Sequence, residues 1–175
     1  MRTPIDQIKG NASEEHKTRL NDAMNWINKK GIFGYAIMDR IVIVEAGVVD
    51  ANDEAVGGER RKMIRAVYEM EVKADMCNGG NSIHGGCGAY LADVCTSSTY
   101  SLHDDWNFGH VSAALDCIYH APALEGTNLR IICTLVALGG RIGTSRCEIW
   151  DKDNGRLVCS ASHLKMKASS SKAKL

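Results

Sequence analysis

The chain has 175 residues, 45% apolar and 24% charged, a balance that suits one ordinary folded domain. Its 21 basic residues are cancelled by 21 acidic ones, which argues against the basic surface that non-specific nucleic-acid binding needs. No apolar run approaches a transmembrane length, so no membrane insertion is expected, and the N-terminus, carrying Asp6, Glu14 and Glu15, lacks the apolar core of a secretory leader.

In chain order, "NASEEHKTRLNDAMNWINKK" reads as a helix, with Asn11 or Ser13 as N-cap, Leu20, Met24, Trp26 and Ile27 on a rough helical spacing, and Gly31 as terminator. "RIVIVEAGVVD" is rich in β-branched residues and predicts a strand. "ANDEAVGGER" is a turn, and "KMIRAVYEMEVKADM" alternates through Ile64, Ala66, Tyr68 and Met70 as a second strand, so the two predict a hairpin. "CGAYLADVCTSSTYSL" predicts a helix with so few charges that it should be buried on nearly all sides. "HDDWNFGH" is a polar connection. It is followed by strands in "VSAALDCIYHA", "LRIICTLVALGG", "GTSRCEIWDK" and "RLVCSASHLKMKA", the last two joined by the turn signal Asp153-Asn154-Gly155. The last three, joined by short turns, must be antiparallel neighbours. The expectation is an α+β fold: an antiparallel sheet of about six strands wrapped around one central helix, with a further helix at the N-terminus. The divisions read as an N-terminal helical extension over 1–34, a domain over 35–167 and a flexible tail over 168–175.

The seven cysteines form no CxxC pair and mostly sit in apolar stretches, so they read as buried reduced thiols in a reducing compartment rather than as redox or metal ligands. The terminal Ala173-Lys174-Leu175 resembles the Ser-Lys-Leu peroxisomal address, which an import receptor would read; a solvated basic tail is the plainer alternative.

Chemistry concentrates in "NGGNSIHGGCGAYLAD", residues 78–93. Gly85-Gly86 at a helix start leaves backbone N–H groups bare at the positive end of the helix dipole, where they can hold an oxyanion; an ordinary tight turn would look the same. Asn78 could orient a water or a carbonyl oxygen, or simply make a turn. His84 could be a hydrogen-bonded loop histidine. Asp93 interrupts the apolar helix and is either a surface residue or a general base or nucleophile. Gly85 and Asp93 lie eight positions apart, about 12 Å along a helix. If both act on one bond they come from different subunits, which predicts a two-fold dimer with two shared sites.

Asn78, "HGG" six residues on and Asp93 nine after His84 resemble the hotdog-fold acyl-CoA thioesterases, in the branch of the phenylacetyl-CoA thioesterase and acyl-CoA thioesterase 13 (thioesterase superfamily member 2). The resemblance spans roughly residues 35–167, including "YHAPA" at 119–123. It implies hydrolysis of a fatty or aryl acyl-CoA to acid and CoA by water attack. The Gly85 N–H would polarise the thioester carbonyl, and Asn78 would assist. Asp93 from the partner subunit would activate water, Ser112 would hold that water, and His84 would shape the loop. Gly86 joins the substrate contacts. The resemblance also implies a tetramer of two dimers and no cofactor beyond the CoA of the substrate. Gly139-Gly140-Arg141, or Lys165 and Lys167, could meet CoA phosphates or be solvated turn and tail residues. The loop "GGNSI" is richer in glycine, and "LHDDWNF" slightly longer, than the family pattern. A non-catalytic acyl-CoA-binding hotdog protein and a hotdog enoyl-CoA hydratase are the alternative readings.

Overall fold

The computed structural model describes residues 3–51, 61–106 and 109–168. The expected turn over 51–60 and the terminal Ala173-Lys174-Leu175 therefore fall largely or wholly outside the described residues, as does most of the expected tail.

Helix α1, Glu14–Ile27, begins where Ser13 accepts from the His16 N–H (3.2 Å), with Glu14 and Glu15 favourably placed in the first turn. A four-residue helix, α2 (Tyr35–Met38), follows. Strands β1 (Val42–Asp50) and β2 (Lys62–Glu71) precede helix α3, Gly85–Thr99. Then come β3 (His110–Tyr119), β4 (Asn128–Leu138), β5 (Ile142–Asp151) and β6 (Arg156–Lys167). The expected second strand stops five residues early: Ala74–Met76 forms a 3-10 turn. So does Asp104–Trp106, within the predicted polar connection.

The six strands make one antiparallel sheet in the order β1-β2-β4-β5-β6-β3, with α3 against its inner face. This is the hotdog architecture. The β5–β6 turn follows its sequence signal: Asp151 accepts from the Asn154 backbone (3.2 Å) and side chain (2.9 Å), and Gly155 takes φ +61°. Leu91, Ala92 and Cys95 of α3 join Tyr68, Ile131, Cys133, Cys147 and Ile149 of the sheet in one core. The N-terminal segment is packed into the same core through Ile8, Leu20 and Met24. All seven cysteines are free; burial pushes the Cys87 thiol up to about 11 and the Cys159 thiol up to about 12.

The two sheet edges differ. Along β1 the N-terminal segment adds backbone bonds: Lys9 N–H to Val44 O (3.0 Å), Ala46 N–H to Lys9 O (3.0 Å) and Ala12 N–H to Ala46 O (3.2 Å). Along β3, which pairs only with β6, the outer edge carries no described partner, and Val111, Ile118 and Tyr119 are exposed.

The Tyr68 hydroxyl is fully buried and meets Cys95 O (3.0 Å), Ser98 Oγ (2.8 Å) and Thr99 Oγ1 (2.9 Å). Both hydroxyl partners also donate to Cys95 O, so neither is orphaned when Tyr68 is shortened. Tyr68→Phe should therefore keep the fold and cost about 1 kcal/mol, read as a lower urea midpoint at unchanged slope.

Candidate active site

The glycine-rich loop closes on itself before α3 starts. Cys77 bridges to Ile83, the Asn78 N–H donates to Ser82 O (2.8 Å), and Asn78 Oδ1 accepts from the Gly80 N–H (2.9 Å). Asn81 takes φ +54°, a left-handed conformation asparagine tolerates. The Ile83 N–H to Ala123 O bond (2.8 Å) ties the loop to the "YHAPA" segment. Asn78 thus spends its side-chain oxygen inside the loop, leaving its amide hydrogens as the groups it can offer outward.

His84 is the N-cap of α3. Its Nδ1 accepts from the Gly86 N–H (2.9 Å), which places the ring proton on Nε2. Its carbonyl takes the Cys87 and Gly88 N–H groups (2.8 and 3.0 Å). The Gly85 N–H is left with no acceptor among the described residues, and it opens into a cavity of about 350 Å³ lined by His84, Tyr119, His120 and Pro122. The Tyr119 hydroxyl donates to Gly85 O (2.9 Å) and its ring lies against Gly85 and Gly88. Of the two glycines singled out in the sequence, Gly85 offers a free donor and Gly86 has its donor occupied.

Asp93 sits more than two turns further along α3, facing a different cleft of about 490 Å³ walled by Ala23, Trp26 and Ile27 of α1 and by Val111 and Ser112 of β3. Its Oδ1 accepts from Ser112 Oγ (3.2 Å) and Ser97 Oγ (3.3 Å) and lies 3.5 Å from His163 Nε2. Lys165 closes the cluster. Its Nζ donates to Ser97 Oγ (2.7 Å) and Ser112 Oγ (3.1 Å), and the residue is 3% exposed. Lys165 is therefore not a tail charge available to phosphates, because its side chain ends under Asp93. Asp93 and Ser112 meet in this cleft, whereas Gly85 and Asn78 belong to the other end of the helix.

Gly139, Gly140 and Arg141 form the exposed β4–β5 turn and line neither cavity. Gly139 O accepts from Trp106 Nε1 (3.2 Å), and Lys167 Nζ lies 5.1 Å from the Trp106 ring.

His163, Ser97 and Thr96 carry no signal in sequence, being ordinary core and helix residues there. Thr96 Oγ1 lies 2.6 Å from Ala92 O and 2.6 Å from His163 Nδ1. If the threonine hydrogen goes to the carbonyl, the imidazole proton sits on Nδ1, and Nε2 faces Asp93 as a bare lone pair. Burial and the neighbouring Lys165 charge push His163 down to about 4, against the pull of Asp93. Burial, Lys165 and His163 push His110 down to about 4 as well.

Residues 80–158 match the thioesterase superfamily model. Among solved structures, the chain is similar to zebrafish thioesterase superfamily member 2 (TM-score 0.66, 19% identity, covering 83% of this chain and 93% of that one). It is also similar to the Escherichia coli PaaI protein from the phenylacetic acid degradation operon (TM-score 0.64, 18% identity, 87% and 95%). A third is a hypothetical thioesterase from Streptococcus pneumoniae solved with coenzyme A (TM-score 0.53, 20% identity, 60% and 81%). No curated protein matches the chain. The fold is that of the hotdog proteins, and residues 80–158 are similar to the thioesterase superfamily. Within that class, the similar structures include the member 2 and PaaI proteins, the branch whose motif the sequence resembles.

The depressed histidines have a consequence for stability. Each has an ordinary value near 6.5 when unfolded and about 4 when folded, so between those pH values the unfolded chain binds protons that the folded one does not. Stability should be fullest above about 6.5 and fall as pH drops toward about 4. Urea unfolding across this window should show a shallower loss in His163→Gln than in the unsubstituted chain.

Proposed function

We propose that the chain hydrolyses acyl-CoA thioesters to a free acid and CoA, with Asp93 as general base. The observation that carries this reading is the Asp93 carboxylate, held by two hydroxyls at the floor of a 490 Å³ cleft. A carboxylate so placed can take a proton from water while the water oxygen attacks the thioester carbonyl carbon. The resulting oxyanion needs donors, and the uncommitted Gly85 N–H at the helix N-terminus is suited to supply one. Collapse of the tetrahedral intermediate expels the CoA thiolate, which recovers the proton from Asp93.

The two half-sites open into separate cavities of one chain, so the reading requires a second copy. The bare edge of β3 supports this. Ser112, beside Asp93, lies near the start of β3, and Tyr119, beside Gly85, lies at its end. Two copies of β3 paired antiparallel about their middle would bring the Tyr119 end of one to the Ser112 end of the other. Each carbonyl-binding helix start would then sit opposite the partner's Asp93. The coenzyme A in the Streptococcus pneumoniae neighbour supports CoA as the leaving group.

Thiol release from a panel of acyl-CoAs of varied chain length tests the activity, and binding without release would overturn it in favour of a non-catalytic acyl-CoA binder. Asp93→Asn should keep the fold and lower turnover by about 100-fold or more. Mixing Asp93→Asn subunits with subunits carrying Gly85→Pro, which lacks the N–H, should restore part of the activity in mixed dimers. No rescue in confirmed heterodimers would count against shared sites.

A further inference from the structure

Lys165 is paired in register with Ser112 across β3 and β6, yet its side chain runs inward to the floor of the Asp93 cleft. A buried ammonium is costly unless it is paired. No carboxylate among the described residues forms an ion pair with it; its partners are the hydroxyls of Ser97 and Ser112. Each hydroxyl has one hydrogen, and an ammonium can only donate. Both serine oxygens must therefore accept from Lys165 and spend their hydrogens on Asp93 Oδ1.

We propose that Lys165 is a positioning residue: as an ammonium it turns the Ser97 and Ser112 hydroxyls toward Asp93 Oδ1, which leaves Oδ2 as the oxygen that takes the proton from water. The proposal rests on the hydrolase reading. A neutral amine could accept a hydrogen bond, so loss of the lysine proton would let the serine hydrogens turn back to it and release the carboxylate. Turnover then has an alkaline limb set by Lys165.

The groups facing Lys165 are Asp93 and Ser97 of α3, His110 and Ser112 of β3, and His163 of β6; the α1 wall contributes only Ala23, Trp26 and Ile27. Burial lowers the lysine from its ordinary value, and Asp93 opposes that shift. The limb therefore falls at a lower pH than an exposed lysine would give.

Rates against pH for Lys165→Met, Lys165→Arg and Ser97→Ala test the idea. The methionine variant should lose about tenfold or more in kcat with KM little changed, since a charge-assisted bond to each hydroxyl is gone. Arginine, which does not titrate in this range, should restore turnover relative to methionine and abolish the alkaline limb. Ser97→Ala removes one partner of the buried ammonium and should move the limb to lower pH. An unchanged kcat in Lys165→Met, or an unmoved limb in Ser97→Ala, would overturn the proposal; the second readout holds even if the methionine variant fails to fold.

A titration of lysine-labelled protein by carbon NMR separates this from the hydrolase reading. One lysine signal, absent in Lys165→Met or Lys165→Arg, should titrate below the rest and move lower in Ser97→Ala. Its absence would overturn the role of Lys165 whatever the activity, whereas its presence in a protein that releases no thiol would leave the hydrolase reading as the failure.

Discussion

The structure depends on burying a helix against the inner face of a curved sheet. Most of α3 is out of water, so its polar groups must be satisfied from within. Thr96, Ser98 and Thr99 do this by donating to carbonyls of their own helix, and the Tyr68 hydroxyl reaches across from β2 to the Cys95 carbonyl. Ala and Gly on the apolar faces let the sheet approach closely. Two places along α3 escape this enclosure: its first turn, which meets the cavity beside Tyr119, and the face carrying Asp93, which meets the cleft under α1. The chemically useful groups of the helix lie where the packing stops.

The electrostatics around Asp93 follow from the same enclosure. One carboxylate, one ammonium and two imidazoles share a small volume. Low solvent access favours neutral imidazoles, and the ammonium reinforces that preference. The serine hydroxyls separate the two remaining opposite charges. A direct ion pair would have occupied the carboxylate with the lysine, while the hydroxyls leave one carboxylate oxygen open to the cleft.

Much of the fold was legible because the relevant signals are local. β-Branched runs mark β1 and β4, Asp153-Asn154-Gly155 marks the last hairpin, and the uncharged stretch after Gly85 marks the buried helix. Where local signals misled, the physical reason is plain. Val72, Ala74 and Met76 continue the alternation of β2, but the chain leaves the sheet after Glu71, and α2 is too short for any periodicity to register. The half-site at Gly85 was visible as a glycine pair after a histidine, though the assignment of donors was not: only the geometry shows that His84 occupies the Gly86 N–H. Around Asp93 the partners from β6 lie about 70 residues further along the chain, so Lys165 looked like a basic tail residue and His163 like a core histidine. No spacing rule reaches that far.

The treatment of the sheet edges has a further consequence. The segment around Lys9 and Ala12 covers the outer edge of β1 with backbone hydrogen bonds, while nothing among the described residues pairs with the outer edge of β3. A sheet with one open edge can be joined once, and the joint closes on itself by symmetry. With both edges open, the same pairing chemistry would add copies at either end without limit. The few residues laid along β1 therefore leave one described sheet edge, rather than two, at which such pairing could begin.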